Sequence, residues 1–174
     1  QLAGMRTSIS LAELCCDART ADGMPAVGRA MLFVSHAQSC SFAKFIQALD
    51  AHFETAGLDP TTTFLWIDFA VIRQDDVSSA VNRIGEIESR VGHVVMVLEP
   101  WDKPVCLGRV WCLYEVVQTF VRNVNFELTM ARAERVAMQR ALRTRRDLID
   151  QVTSDFEART AQASVEADRQ RIFQ

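Results

Sequence analysis

Ala30-Met31-Leu32-Phe33-Val34-Ser35 is a run of apolar residues closed by a small polar one. Continuous apolarity over the length of a strand, without polar alternation, suits a parallel strand buried on both faces. Phe64-Leu65-Trp66-Ile67-Asp68 repeats the pattern and again ends in a polar group, and Val94-Val95-Met96-Val97-Leu98 repeats it once more. Phe126-Glu127-Leu128-Thr129-Met130 reads as a fourth, weaker strand. Helical periodicity fills the intervals. Phe42, Phe45, Ile46, Leu49 and Phe53 recur at helical spacing ahead of Gly57, which stands where a C-cap glycine belongs. Val81, Ile84, Ile87 and Val91 mark a second helix, and Arg109 to Val121 a third. Strands alternating with helices in this way predict a doubly wound α/β sheet with parallel strands.

In such sheets ligands sit beyond the carboxyl ends of the strands. Ser35, His36 and Asp68 stand at two of those ends. The loop Glu99-Pro100-Trp101-Asp102-Lys103-Pro104 stands at a third and introduces the helix that begins near Arg109. On that helix Val110, Leu113, Val116, Val117, Phe120 and Val121 make one apolar face. Glu115 falls roughly opposite Leu113, with Trp111, Gln118 and Arg122 on its side, so the pattern places Glu115 and Trp111 outside the core. An aromatic and a carboxylate one turn apart form a candidate site. The plainer reading is an acid favoured by the helix dipole beside a tryptophan resting on the domain edge.

Composition narrows the function classes. The chain has 174 residues, 49% of them hydrophobic and 24% charged, within the range of an ordinary globular protein. A net charge of -3 supplies no basic excess for neutralising phosphates, so nucleic acid is not an expected partner. Cys15, Cys16, Cys40, Cys106 and Cys112 are odd in number and lack Cys-x-x-Cys spacing, so reduced thiols in a cytoplasmic protein are expected, with no metal site. His36, His52 and His93 have no metal-ligand spacing either. No membrane segment or signal peptide is evident. Because the chain opens at Gln1, it reads as a fragment of something longer.

Residues 1–29 read as a helical extension and linker, with capping-box spacing at Ser10-Leu11-Ala12-Glu13 and Gly23, Pro25 and Gly28 after it. Residues 30–130 carry the α/β domain. Residues 131–174 are helical by composition, with a second cap-box pattern at Thr144-Arg145-Arg146-Asp147 and a loose stripe of Leu148, Val152, Phe156, Ala163, Val165 and Ile172.

Three segments then fall into register with a known family. Phe33-Val34-Ser35-His36-Ala37 resembles the first box of Toll/interleukin receptor (TIR) domains, where a strand ends in Phe-[Ile/Val/Leu]-Ser-[Tyr/His/Phe]. Phe64-Leu65-Trp66-Ile67-Asp68 resembles their second strand, and Trp111-Cys112-Leu113-Tyr114-Glu115 resembles the Trp-Cys-x-x-Glu that opens the third main helix of plant-type TIR domains. The resemblance covers about residues 30–130 and implies a flavodoxin-like, TIR-like sheet with additional C-terminal helices. The chain departs from the family pattern at Gln38-Ser39-Cys40-Ser41, where an acidic residue is usual, and in the loop from Phe69 to Asp76, which lacks the frequent glycine.

What the resemblance implies is NAD⁺ cleavage in a signalling or defence role, with NAD⁺ as substrate and no further cofactor. Glu115 aligns with the family's catalytic glutamate. Nicotinamide departs from NAD⁺ as a neutral molecule, so one carboxylate can suffice where ordinary glycosidases need two. Ser35 and His36 are candidates to line the nicotinamide pocket, or they are loop-capping groups. Asp68 is a candidate to bind ribose, or it forms an Asx turn. Trp111 is a candidate to stack on a base or on the cationic ring. Trp66 and Trp101 read as packing residues, and Cys112 has no positioned histidine to make it a nucleophile. The resemblance also implies a homo-oligomer or assembly with other TIR-like domains. Two other readings stand beside the enzyme: a non-catalytic TIR-like module acting by self-assembly, and a different small α/β nucleotide-binding domain.

Overall fold

The computed structural model describes residues 9–73, 83–145, 147, 170 and 172. Four strands, β1 (Leu32–Ser35), β2 (Leu65–Ile67), β3 (His93–Val97) and β4 (Asn125–Thr129), form one sheet in the order β2-β1-β3-β4. Every pairing is parallel. The helices are α1 (Leu11–Leu14), α2 (Phe42–Ala56), α3 (Asp68–Val71), α4 (Ile84–Val91), α5 (Val110–Val121) and α6 (Arg132–Thr144), with a 3₁₀ turn at Val105–Gly108. This is the doubly wound parallel α/β architecture that the apolar runs predict, in a flavodoxin-like form. Among the described residues no helix is long and apolar enough to cross a membrane.

The strand-period alternation of side chains separates two core layers. Val34 and Val97 point to one face and pack with Phe45, Ala48, Leu49 and Phe53 of α2. Phe33 and Val94 point to the other and pack with Ile84 of α4 and with Trp66, against which Trp111 and Tyr114 of α5 rest. Phe33 lies flat on Trp66, ring centroids 4.4 Å apart. Gly85 lets α4 approach α5 closely, since a Cβ there would meet the side chains of Gln118 and Arg122. Gly57 caps α2 with φ 64°, and the Leu58 N–H closes the turn on Phe53 O at 2.9 Å.

The termini depart in part from the sequence reading. The Ser10/Glu13 capping box forms, and Glu13 also pairs with Arg73 just beyond α3. Asp68 opens α3 where a loop was expected. Phe42 and Ile46 of the α2 stripe stay exposed, because the sheet meets α2 along Phe45, Ala48, Leu49, His52 and Phe53. Thr144 ends a helix instead of starting one, its hydroxyl donating back to Ala141 O at 2.9 Å. Val81, Gln74 to Asp76, Arg146, Leu148, Val152, Phe156, Ala163 and Val165 lie outside the described residues.

Phe33 joins β1 to two helices and to Trp66. Phe33→Ala should therefore cost about 3–5 kcal/mol. Urea unfolding checks this: the midpoint falls while the slope against denaturant stays close to that of the unaltered chain.

Candidate functional site

The strand order places β2 on one side of β1 and β3 on the other, so the chain reverses its direction of winding between β1 and β3. That reversal makes the carboxyl ends of β1 and β3 the topological switch point, the place where α/β sheets bind ligands. Ser35 is the last residue of β1, and α5 follows β3 through the Glu99–Pro100 loop and the 3₁₀ turn. Ser35 Oγ donates a 2.5 Å hydrogen bond to Glu115 Oε2 of α5. Two residues eighty positions apart in sequence thus meet at the switch point.

The outward placement of Glu115 is corrected by the structure. Glu115 is 8% exposed and faces inward with Val110, Cys112 and Thr119, while Val117, Phe120 and Val121 face out. The reason is tertiary. The Ser35 hydroxyl is buried, at 1% exposure, and a buried donor needs a polar partner, which Glu115 supplies; Thr119 is satisfied by donating to Glu115 O at 2.7 Å. Phe120, left outside, rests on Phe126 with centroids 5.9 Å apart.

Ser35 and His36 are neighbours in sequence and point to opposite faces. The His36 ring packs on Phe45 and Phe69, and its Nδ1 lies 3.7 Å from Asp68 Oδ1. Asp68 also accepts from Gln38 Nε2 at 2.6 Å and from the Phe69 N–H at 2.7 Å. Trp111 turns away from this group, meeting Tyr114 edge-on at 6.1 Å in the α4/α5 core. Of the residues expected at this rim, the structure bonds Ser35 to Glu115 and sets His36 beside Asp68. Trp111 does not join them: its ring packs edge-on against Tyr114 in the layer that holds Ile84 of α4.

Burial dominates the electrostatics. It pushes the Glu115 carboxyl up to about 8, against the Ser35 hydrogen bond, and the negative charge of Asp68 pushes the same way. Burial likewise lowers His36, while Asp68 acts to raise it. The Cys112 thiol, which donates to His36 O at 3.4 Å, is raised far out of the reactive range, and Cys106 is pushed up to about 12. Neither is a nucleophile at neutral pH.

Glu88 of α4 is a residue the sequence reading missed. It is 0% exposed, neither carboxylate oxygen has a hydrogen-bond partner, and burial with the nearby charge of Glu115 pushes it up to about 8. Its position one turn after Ile84 on the inward face was the available signal. Among the described residues no group of three or more His, Cys, Asp or Glu side chains is placed to hold a metal ion.

Glu88 and Glu115 keep their protons in the folded chain well above 4.5, the ordinary value they regain on unfolding. Their stabilising protonation is thus fully present below about 4.5 and is lost as the pH rises towards about 8. Thermal unfolding should show the midpoint falling across that window, and Glu88→Gln should flatten the fall and raise stability at its upper end.

No family model matches the chain, and no curated protein or solved structure matches it significantly.

Proposed function

We propose that the chain is a TIR-like NAD⁺ glycohydrolase in which Glu115 acts on the bond between nicotinamide and ribose. The observation that carries this reading is the buried hydrogen bond from Ser35 to Glu115 at the switch point of the sheet. It ties together two of the three segments on which the family resemblance rests. A carboxylate held by a strand-end hydroxyl is fixed in position, and fixed charge is the main means of stabilising charge that develops in a transition state. In hydrolysis the nicotinamide–ribose bond breaks, nicotinamide leaves neutral with the bonding electrons, and ionised Glu115 steadies the positive charge left on the sugar. Water then adds to the ribose carbon and releases a proton to solvent. Ser35 orients the carboxylate. Asp68 adds negative potential beside it, which favours a cationic substrate.

A substrate-free Glu115 carboxyl raised to about 8 is mostly protonated at neutral pH. The pyridinium of NAD⁺ placed next to it favours the ionised form and so prepares the group that the reaction uses. His36 and Asp68 form the other wall of the crevice in this reading, and Trp111 is left as a packing residue.

One observation favours the non-catalytic module. Glu115 is nearly enclosed, while Val117, Phe120 and Val121 stand exposed on the outer face of α5. Self-association through such a face, in the cytoplasm, is the function this alternative assigns. In the enzyme reading the same assembly with further copies opens or completes the pocket.

Nicotinamide release from NAD⁺ by the unaltered chain and by Glu115→Gln, both checked for folding by circular dichroism, separates the readings. The variant should lose on the order of 10²–10³ in rate. Equal rates would remove Glu115 from the chemistry, and no release from either protein at high concentration would favour the module. For the active protein kcat/KM should rise with pH through about 8, because the ionised carboxylate is the working form. If assembly completes the pocket, rate should rise more steeply than enzyme concentration; strict proportionality in a monodisperse monomer would exclude that step.

A further inference from the structure

Strand β4 closes one side of the sheet, and among the described residues no further strand lies beyond it. The Thr129 carbonyl accepts from the Leu98 N–H at 2.8 Å, so it faces the β3 side. By strand alternation the N–H and C=O groups of Phe126 and Leu128 point the other way, along the free edge. Such an edge is a template for pairing with another strand. Natural edges are often blunted by lysine or proline, and Asn125-Phe126-Glu127-Leu128-Thr129 contains neither.

The flank beside this edge is apolar. Phe126 and Leu128 share the face of the sheet that α5 covers, since Phe120 of α5 rests on Phe126. Leu128 is 55% exposed there, Phe120 70%, and Val117, one turn earlier on α5, 53%. After β4 the chain turns to the opposite face. Thr129 Oγ1 donates to Ala48 O of α2 at 3.0 Å, and Arg132 of α6 pairs with Glu54 of α2. Among the described residues, then, α6 packs on the α2 side and leaves the α5 flank open. Three side chains so exposed present roughly 350 Å² per copy, and two copies with their edge backbone would bury about 1,000 Å², the lower limit of a specific interface. A lone extended peptide would fill the edge and leave Phe120 and Val117 in water. A second copy brings a strand and an apolar helix flank together.

We propose that two copies of this chain pair antiparallel along β4 about a two-fold axis, joining their sheets into one. Residues opposite each other in an antiparallel pair share a face, so the two α5 helices come to lie on the same side. Charge selects the register. Centring the axis on Glu127 would set two carboxylates directly opposite, which is destabilising. Centring it on Phe126 sets that ring against its copy, Leu128 against Val124, and Glu127 against Asn125, whose amide donates to a carboxylate. This register also gathers both Phe120 rings, each already resting on its own Phe126, around the axis. Centring on Leu128 would draw those rings apart. The pairing gives the self-association considered above a definite surface, and it does not depend on the chemistry at Glu115.

Sedimentation velocity of the full chain tests this, with amide hydrogen exchange reporting on the edge. The weight-average mass should rise from one chain towards two with a dissociation constant of about 10–100 µM, as a small interface gives. The Phe126 and Leu128 amides should exchange rapidly in dilute protein and slow as the dimer forms. Leu128→Lys changes an exposed side chain, so the fold is kept, and it should weaken association at least about tenfold. Asn125→Lys should tighten association about threefold to tenfold and Asn125→Glu should loosen it by a similar factor, because position 125 meets Glu127 of the other copy. The proposal is overturned if the chain stays monomeric at about 1 mM, or if Leu128→Lys associates as well as the unaltered chain. It is equally overturned if Asn125→Lys and Asn125→Glu behave alike. Protected Phe126 and Leu128 amides in dilute monomer would overturn it too, since the chain would then cover its own edge. Nicotinamide release is not read, so failure here leaves the assignment of Glu115 untouched.

Discussion

The enclosure of β1 and β3 on both faces is the constraint from which the rest of the structure follows. Leu32 to Ser35 and Val94 to Val97 are all buried, so each side chain must find a complement on its own side of the sheet. Val34 meets α2, and Phe33 meets Trp66 and α4. Ser35 is the one polar side chain in β1, and its complement is Glu115. Placing that carboxyl in the core fixes how α5 is rotated. The rotation in turn leaves Val117, Phe120 and Val121 in solvent and directs Trp111 towards α4. An unpaired hydroxyl would cost free energy that a hydrogen-bonded one does not. One short polar side chain thus outweighs the apolar pattern of a twelve-residue helix.

Much of the fold was legible because buried parallel strands leave an unusual mark. Runs such as Ala30–Val34 and Val94–Leu98 have few other uses in a chain of this length. The Ser10 capping box and the Gly57 cap were legible for the same kind of reason, since each rests on local backbone chemistry. The rotation of α5 was not legible. Periodicity assigns the wettest-looking face to solvent, and the contact that reverses it comes from a residue eighty positions away. Glu88 escaped notice for a related reason. A glutamate on a short helix reads as solvated, and only the close approach of α4 to α5 at Gly85 encloses it.

The two ends of the sheet are electrostatically unlike. At the carboxyl end Glu115 and Asp68 gather near one another, with His36 beside Asp68. At the amino end two imidazoles share the carboxylate of Glu127. Burial raises the Glu115 carboxyl at the first end and lowers the His52 imidazole at the second, and perturbed acids and bases tend to gather where proteins do chemical or binding work. Between the two ends lies an interior of Val, Phe and Met, with no titratable side chain from Leu32 to Val34 or from Val94 to Val97. The dry centre keeps the local dielectric low, so each cluster feels its own members strongly.

The parity of β1 has a consequence for how such a chain can change over generations. Ser35 and His36 face opposite layers only because strand side chains alternate. Losing or gaining a single residue within Leu32–Ser35 would exchange the two, presenting an imidazole to Glu115 and a hydroxyl to Phe45. Phe33 and Val34 would trade layers in the same step. A change of two residues would preserve the alternation. Length variation at this strand should therefore be tolerated in even steps and rejected in odd ones, so the pleat itself protects the pairing of Ser35 with Glu115.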